Sequence, residues 1–279
     1  MAGVNEGTMG TDDASATGDR SSASDPDGGR AGVVVDGVGK TYAGDGDPVR
    51  ALEGVRFAVD DGEFVCLVGP SGCGKTTLFR VIAGLTDATD GRVLLNDAPV
   101  TGPTTDMGVV FQDYHLFPWL TVAENVAFGL ERTETTDADR ADRVDEMLEL
   151  VGLDEFRDAY PKSLSGGMKQ RVGIARALAV DPHLLLMDEP FGAVDAQTRE
   201  MLQRELLDVW ASTGKTVLFV THDVSEAVTL ADRVVVMAAE PGRVREIVDV
   251  DVERPRRRDD PAFGEHVARV RELIGATRR

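Results

Sequence analysis

An apolar run that leads into a glycine-rich loop constrains the fold of this chain most strongly. Residues 64–68 (FVCLV) are all apolar, as expected for a strand buried on both faces of a sheet. Residues 69–76 (GPSGCGKT) follow and match the pattern G-x-x-x-x-G-K-[ST], whose glycines let successive backbone N–H groups point into one concavity. A helix that begins at Lys75 would add the positive end of its dipole. The segment predicts a strand, a phosphate-binding loop and a helix, and a glycine-rich turn without a ligand is the weaker alternative.

Two side chains of this loop and an acidic pair elsewhere are the first candidates for chemistry. Lys75 can reach the β- and γ-phosphates of a nucleotide, and the Thr76 hydroxyl can ligate Mg²⁺. Residues 184–188 (LLLMD) form another apolar run, which we expect to lie beside the strand that precedes the loop. Asp188 can hold Mg²⁺, and the alternation of side chains along a strand would turn Glu189 toward the attacking water as general base. The alternative is an acidic strand cap.

A second anion site is predicted where Ser165, Gly166 and Gly167 open a helix over 168–179. A hydroxyl and bare backbone amides at a helix N-terminus bind anions. Because one chain already holds phosphates with its own loop, a second such site suggests a second nucleotide held by a second subunit. From the residues alone, a simple helix N-cap remains the better-supported interpretation.

The net charge of −19 bears on the class of partner. Residues 1–31 contain six acidic and two basic residues and almost no large apolar groups, so we expect a disordered acidic tail. The rest of the chain still carries −15, and such a surface repels nucleic acid. The composition therefore argues against a DNA- or RNA-binding ATPase. It also suggests a salt-loving host, since salt would screen the self-repulsion of this surface.

Cys66 and Cys73 are the only cysteines, and their positions predict a reduced compartment without a cysteine-based metal site. Cys73 lies among the loop amides near a helix N-terminus, which predicts a reactive thiolate, whereas Cys66 should be buried and slow. No apolar run approaches the roughly 20 residues of a membrane span, and the N-terminus lacks a signal-peptide pattern. We therefore expect an intracellular protein whose transport pore, if any, belongs to another chain.

Apolar patterns predict an α/β lobe interrupted by a helical insertion. A periodicity of three and four in Ala138, Ala141, Val144, Leu148 and Val151 indicates one buried helix face in the insertion. Residues 256–258 (RRR) precede two aspartates and indicate a solvated linker. Strands are predicted over 33–35, 55–59, 64–68, 92–95, 107–111, 184–188, 217–220 and 244–252, and helices over 75–83, within 121–178 and from Pro261.

Residues 69–76, 164–170 (LSGGMKQ), 184–190 and the histidine after 217–220 together resemble the nucleotide-binding subunit of an ATP-binding-cassette (ABC) transporter. The resemblance runs from about residue 33 to the C-terminus. It implies a P-loop NTPase core sheet flanked by helices, with an antiparallel β part and a helical signature subdomain at about 113–180. The expected domains are a tail (1–31), the cassette (32–252), and a linker with a C-terminal helix (253–279).

The same resemblance implies roles for individual residues and a head-to-tail dimer, or a paired cassette, that sandwiches two ATP molecules. The expected catalytic residues are Glu189, Lys75, Gln112 and His222, the last contacting the γ-phosphate, and the expected Mg²⁺ ligands are Thr76, Gln112 and Asp188. Taken alone, Gln112 would be a solvated polar residue, His222 a structural histidine and Tyr42 a core or edge tyrosine. The implied nucleotide contacts are Tyr42 (adenine stacking), Gly69, Pro70, Ser71, Gly72, Cys73, Gly74, Lys75, Thr76, Thr77, Ser165, Gly166, Gly167 and Asp195 (the loop that links the two sites).

Residues 111–126 (FQDYHLFPWLTVAENV), 191–198 and 214–224 look like the nitrate, sulfonate and taurine importer group. The group implies integral-membrane permease subunits, an extracytoplasmic substrate-binding protein as an indirect partner, and a cytoplasmic location on the inner face of the membrane. A soluble ABC ATPase of DNA repair or translation is the less favoured alternative, because it would need a long coiled-coil insertion or a second cassette and the sequence contains neither. A P-loop small-molecule kinase would not explain residues 165–167 or Glu189.

If the acidic surface is adapted to salt, the midpoint of thermal unfolding should rise from dilute buffer to molar KCl, because screening weakens the repulsion among its carboxylates. Circular dichroism melts of the full-length chain would measure this. A midpoint that stays flat across the salt series would contradict the hypothesis.

Overall fold

The computed structural model describes residues 31–44, 47–113, 115–133, 136–192 and 194–276. The predicted acidic tail therefore lies outside the described residues except for Ala31. Tyr114, within the segment 111–126 that resembles the importer group, also lies outside them.

The central sheet has the strand order β10-β9-β3-β8-β7-β6. Strands β3, β6, β7, β8 and β9 run parallel, and β10 pairs with β9 in the antiparallel sense. The expectation that the strand of Asp188 lies beside the loop strand is wrong, because β8 lies between β3 and β7. The bounds are β3 Phe64–Val68, β6 Met107–Val110, β7 Leu184–Asp188, β8 Thr216–Val220, β9 Arg233–Ala238 and β10 Arg243–Asp249.

A second, antiparallel sheet has the order β2-β1-β4-β5. It covers the phosphate-loop region, since Leu52 and the carbonyl of Ala51 lie where a side chain on Gly74 would have to go. The amide of Gly242 also donates to the carbonyl of Ala51. The bounds are β1 Ala31–Tyr42, β2 Val49–Asp60, β4 Asp90–Leu95 and β5 Ala98–Pro99.

Helices α2, α3 and α4 pack against one another and form the helical insertion. Its middle helix buries Val144, Met147 and Leu148, whereas Ala138 and Ala141 are exposed, so the predicted apolar face is buried only in its second half. Short side chains cap several helix N-termini, including Thr121, Ser165 and Asp195. The bounds are α1 Lys75–Ile82, α2 Val122–Ala127, α3 Asp137–Leu150, α4 Gly166–Ala179, α5 Ala196–Thr213, α6 Val224–Leu230 and α7 Pro261–Gly275.

Alternate side chains of the central strands enter two different cores. Phe64, Cys66 and Val68 pack with the helical insertion and α5 to α7. Val65 and Leu67 pack with α1 and the antiparallel sheet. Strand β3 is therefore buried on both faces, as its unbroken apolar sequence predicts.

Two arginines after β10 anchor the last segment of the chain to α6. The Arg256 guanidinium donates to the carbonyls of Val228, Ala231 and Val250, among others. Arg254 donates to the carbonyl of Leu230. The prediction that this basic stretch is a solvated linker is therefore wrong for Arg256, which satisfies carbonyls at the C-terminal end of a helix.

Within the described residues, no helix is long and apolar enough to cross a bilayer.

Candidate nucleotide site

The carboxyl ends of four parallel strands bring the predicted site residues to one edge of the central sheet. The phosphate loop follows β3, Asp188 ends β7, His222 is the second residue after β8, and Gln112 is the second residue after β6. Ligand sites in such sheets form at this edge. The sheet thereby brings together residues that are up to 153 positions apart in the sequence, from Gly69 to His222.

The phosphate loop has the backbone that its glycines allow. Gly72 and Gly74 have φ angles of +79° and +87°, which side-chain-bearing residues rarely adopt. Lys75 is only 9% exposed, and its Nζ donates to the carbonyl of Gly69 at 2.9 Å. The ammonium is therefore held over the loop, while Thr76, one residue on, is exposed.

The loop cysteine differs from the sequence prediction. Cys73 is 1% exposed, and its Sγ fills the space next to Gly69. Burial raises the pKa of the Cys73 thiol and outweighs the opposite effects of the Lys75 charge and of backbone hydrogen bonds. The predicted reactive thiolate is therefore wrong, because this side chain points into the core that underlies the loop. Cys66 is buried, as predicted, and burial raises the pKa of its thiol too.

Glu189 and His222 form a direct pair at this edge. The Glu189 Oε2 atom lies 2.9 Å from the His222 Nδ1 atom. Glu189 has a φ of +44°, and its amide donates to the carbonyl of Val220 on β8. Its side chain is thus aimed by a left-handed turn after the strand, and the predicted alternation along the strand is not what orients it. Such backbone strain costs about 1–3 kcal/mol and persists where surrounding contacts over-determine it.

Asp188 lies in a site that disfavours its charge. Burial and the neighbouring Glu189 carboxylate raise the pKa of Asp188 to about 6, although the positive charge of Lys75 acts in the opposite direction. The side-chain nitrogen of Gln112 lies near Gly192, in the turn that follows Asp188 and Glu189. Hydroxyl, amide and carboxylate oxygens are ligands suited to Mg²⁺, so Thr76, Gln112 and Asp188 are a donor set that fits this ion.

Comparison with known families decides the identity of this fold and loop. The profile of the family described as ABC transporter matches residues 52–192, from β2 to the turn after Glu189. The chain belongs to the ABC transporter family. As an ATP-binding cassette of this family it is an ATPase, and the predicted fold class is confirmed.

Curated relatives support the same assignment. An uncharacterized ABC transporter ATP-binding protein of Methanocaldococcus jannaschii is 52% identical over 87% of this chain and 91% of that protein. The aliphatic sulfonates import ATP-binding protein SsuB of Bacillus cereus is 45% identical over 84% of this chain and 92% of that protein. The resemblance to the nitrate, sulfonate and taurine importer group is thereby confirmed.

Solved ABC cassettes share the fold. A dimeric cassette in a post-hydrolysis state with ADP and Pi superposes with a TM-score of 0.68 at 34% identity, covering 79% of this chain and all of that one. The cassette CbiO1 of Clostridium perfringens, part of an ABC transporter complex, gives a TM-score of 0.72 at 28% identity and covers 79% of this chain and 89% of that one.

The other predicted nucleotide contacts of the cassette lie on separate elements. The Ser165 hydroxyl accepts from the amide of Met168 at 3.3 Å, so it caps α4 within the helical insertion. Asp195 caps α5 by accepting from Gln197, and hydrogen bonds with Thr198 are the first cause that lowers its pKa. Tyr42 ends β1 with its ring exposed and the Lys40 Nζ atom 5.2 Å from the ring centroid.

Sequence reasoning missed a buried polar cluster of the cassette next to His222. Glu226 on α6 accepts from Thr221 and from Gln203 on α5. Burial is the main cause that raises the pKa of Glu226. Thr221 directly precedes His222, so the only sequence signal was a run of polar residues after an apolar strand.

Asp188→Asn should raise the thermal unfolding midpoint of the nucleotide-free chain at about pH 8, because it removes a charge that the fold disfavours. The pKa of Asp188 is raised from 3.8 to about 6, so the folded state binds this proton more tightly than the unfolded state. That contribution to stability is fully present below about pH 4 and is lost as the pH rises through about 6. We expect a gain of about 1 kcal/mol, allowing for solvent screening at a partly exposed group.

Melts of both proteins in EDTA at about pH 8 and about pH 5 would measure this gain, which should be smaller at the lower pH. Asp208→Asn removes the same charge from the exposed face of α5 and is the matched control. An equal gain from both variants at both pH values would contradict the assignment, because it would reflect only the reduction in net charge.

Proposed function

We propose that this cassette powers an ABC importer for a sulfonate, nitrate, taurine or similar small solute. The proposal rests on the similarity to proteins named for aliphatic sulfonate import. Its structural support is the contact between Glu189 and His222 at the edge that carries the phosphate loop. Integral-membrane permease subunits would form the pore, and an extracytoplasmic binding protein would deliver the solute to them. The cassette would then lie on the cytoplasmic face of the membrane, held there by the permease.

Hydrolysis is proposed to use the residues at the sheet edge. Thr76, Gln112 and Asp188 would hold Mg²⁺, which supplies charge neutralisation to the phosphates when bound. The Lys75 ammonium would leave its loop carbonyls to contact phosphate oxygens. Glu189 would accept a proton from the attacking water through its carboxylate. His222 would orient that carboxylate through Nδ1 and leave its other ring nitrogen to face the γ-phosphate.

A head-to-tail dimer is proposed to complete each site. Ser165 and Gly166 are exposed at the N-terminus of α4, where backbone amides can receive a phosphate of the nucleotide bound by the partner. Asp195 is exposed at the start of α5 and would line the same interface. The similar cassette that was solved with ADP and Pi is also a dimer. Tyr42 would stack on adenine.

Glu189→Gln keeps the size of the side chain but removes the proton-accepting charge. Turnover should therefore fall by about 10²–10⁴-fold, while ATP affinity stays nearly unchanged and ATP-bound dimer accumulates. Steady-state ATPase assays, nucleotide titration and size-exclusion chromatography would test this. Glu246→Gln is the control, since Glu246 pairs with Arg269 near the C-terminus. Near-normal hydrolysis by Glu189→Gln would assign the base elsewhere.

The aromatic segment, residues 115–120, is the proposed permease contact. The ring of Phe117 lies 4.2 Å from that of Phe128 and 5.6 Å from that of Trp119, centroid to centroid. Trp119 is 70% exposed. Phe128 is exposed as well, and a cluster of exposed aromatic side chains indicates a surface that a partner covers.

Two polar side chains fix this segment to the helical insertion. Asn125 is fully buried on α2, and its amide exchanges hydrogen bonds with the backbone of Phe117. Arg176 on α4 donates to the carbonyl of His115 at 2.8 Å. Since α4 begins at the Ser165 cap, a force on the segment would reach the proposed second nucleotide contact through one helix.

Trp119→Ala should weaken assembly with the permease and solute transport while leaving the ATPase activity and the melting midpoint of the isolated subunit largely intact, because the ring is mostly exposed. Co-purification of the permease and uptake into vesicles would measure the loss. Leu85→Ala removes another exposed apolar side chain outside this segment and serves as the control. An unfolded or nucleotide-deficient Trp119→Ala subunit with unchanged permease association would contradict the assignment.

A further inference from the structure

Three polar side chains are buried together behind His222. Thr221, Gln203 and Glu226 are 2%, 2% and 4% exposed, respectively. Both carboxylate oxygens of Glu226 are used, since one accepts from the Thr221 hydroxyl at 2.5 Å and the other from the Gln203 amide at 3.0 Å. Burying a carboxylate is costly even when it is hydrogen-bonded, so an apolar core would be the simpler arrangement if stability alone mattered here.

The cluster fixes the backbone on both sides of His222. The Thr221 hydroxyl accepts from the amide of Asp223 at 3.0 Å. The Asp223 carboxylate in turn accepts from Ser225 and Glu226 at 2.8 and 3.2 Å and so caps α6. The residues before and after His222 are therefore joined to each other and to Glu226.

The imidazole itself has little packing to hold it. The His222 side chain is 66% exposed, and its contact with Glu189 spans 2.9 Å. An exposed ring on a free loop would sample several rotamers. The direction in which this ring leaves the backbone is therefore set by the backbone, which the buried cluster holds.

The cluster also joins the His222 loop to α5. Gln203 and Arg199 are one turn apart on this helix, and the Arg199 guanidinium lies 3.7 Å from the Asp223 carboxylate. Helix α5 begins at its Asp195 cap. Helix α5 thus connects Asp195, which is proposed to meet the partner subunit, with Arg199 and Gln203, which hold the loop of His222.

We propose that Glu226 and Gln203 are positioning residues for hydrolysis. They act by holding His222 within hydrogen-bond distance of Glu189. This inference rests on the role proposed above for His222. Both side chains are buried, so both act through the His222 loop. A displacement of α5 would move the loop with it.

Glu226→Ala should lower kcat by about tenfold or more, because small misplacements of catalytic groups have large effects on rate. The KM for ATP should change little, since the phosphate loop keeps its contacts. Glu226→Gln should retain most of kcat, because the Gln203 amide can turn and accept from the new amide. The assays use the full-length chain, with melting midpoints recorded for every variant.

Glu63→Ala is the matched control, since Glu63 is another poorly exposed carboxylate, which accepts hydrogen bonds from the Arg233 guanidinium and from the Asp60 amide. It should lower the melting midpoint and leave kcat unchanged. If Glu226→Ala does the same, the cluster is only structural and the proposal is overturned. Should Glu226→Ala fail to fold, Thr221→Val and Thr221→Ser make the same comparison, with loss of kcat expected only for valine.

A double variant tests whether Glu226 acts through His222. In a His222→Ala background, Glu226→Ala should cause no further loss of kcat, because the group that it positions is already absent. A further loss of the same size as in the wild-type background would overturn the proposal. If His222→Ala alone keeps full activity, the role proposed for His222 fails first, and the two failures are thereby distinguished.

Discussion

The burial of β3 and β8 on both faces is the constraint on which the rest of the structure depends. Their side chains alternate into two cores, one shared with α1 and the antiparallel sheet and the other with the remaining helices. A slip of one residue would turn every side chain of a strand into the wrong core. It would also move the strand end by about 3.3 Å, which exceeds the whole distance between the carboxylate of Glu189 and the ring of His222. The packing of the sheet therefore sets the geometry of the site.

The same edge concentrates charge that the fold alone does not favour. Two carboxylates adjoin at the end of β7, and burial together with their proximity raises the pKa of Asp188 to about 6. Glu189 in addition holds a left-handed backbone. Such local costs are typical of sites whose function needs them, and surrounding contacts maintain them. Here the maintaining contact is the hydrogen bond from the amide of Glu189 to the carbonyl of Val220 on the neighbouring strand.

The sequence predicts what local chemistry determines and misses what depends on distant contacts. The phosphate loop, its strand and its helix were predictable because glycine spacing and an unbroken apolar run are local signals. The order of the strands was not, and β7 was placed wrongly because nothing in residues 184–188 indicates that another strand lies between β7 and the loop strand β3. The burial of Cys73 depends on Gly69 and on the packing beneath the loop. Arg256 finds several of its carbonyl partners 25 to 28 residues away, at the C-terminal end of α6.

Three polar side chains of this cassette share one physical role: each holds a loop whose backbone is not part of a helix or a sheet. Asn125 holds the aromatic segment, Arg256 holds the chain after β10, and Glu226 holds the residues around His222. A buried polar group is stable only when its partners lie at defined places, so it restricts the backbone more sharply than apolar contact can. Apolar packing fixes where the strands lie, but it tolerates rotation of the loops at their ends. The buried hydrogen bonds remove that freedom, and in the loop after β8 they hold the backbone from which His222 reaches Glu189.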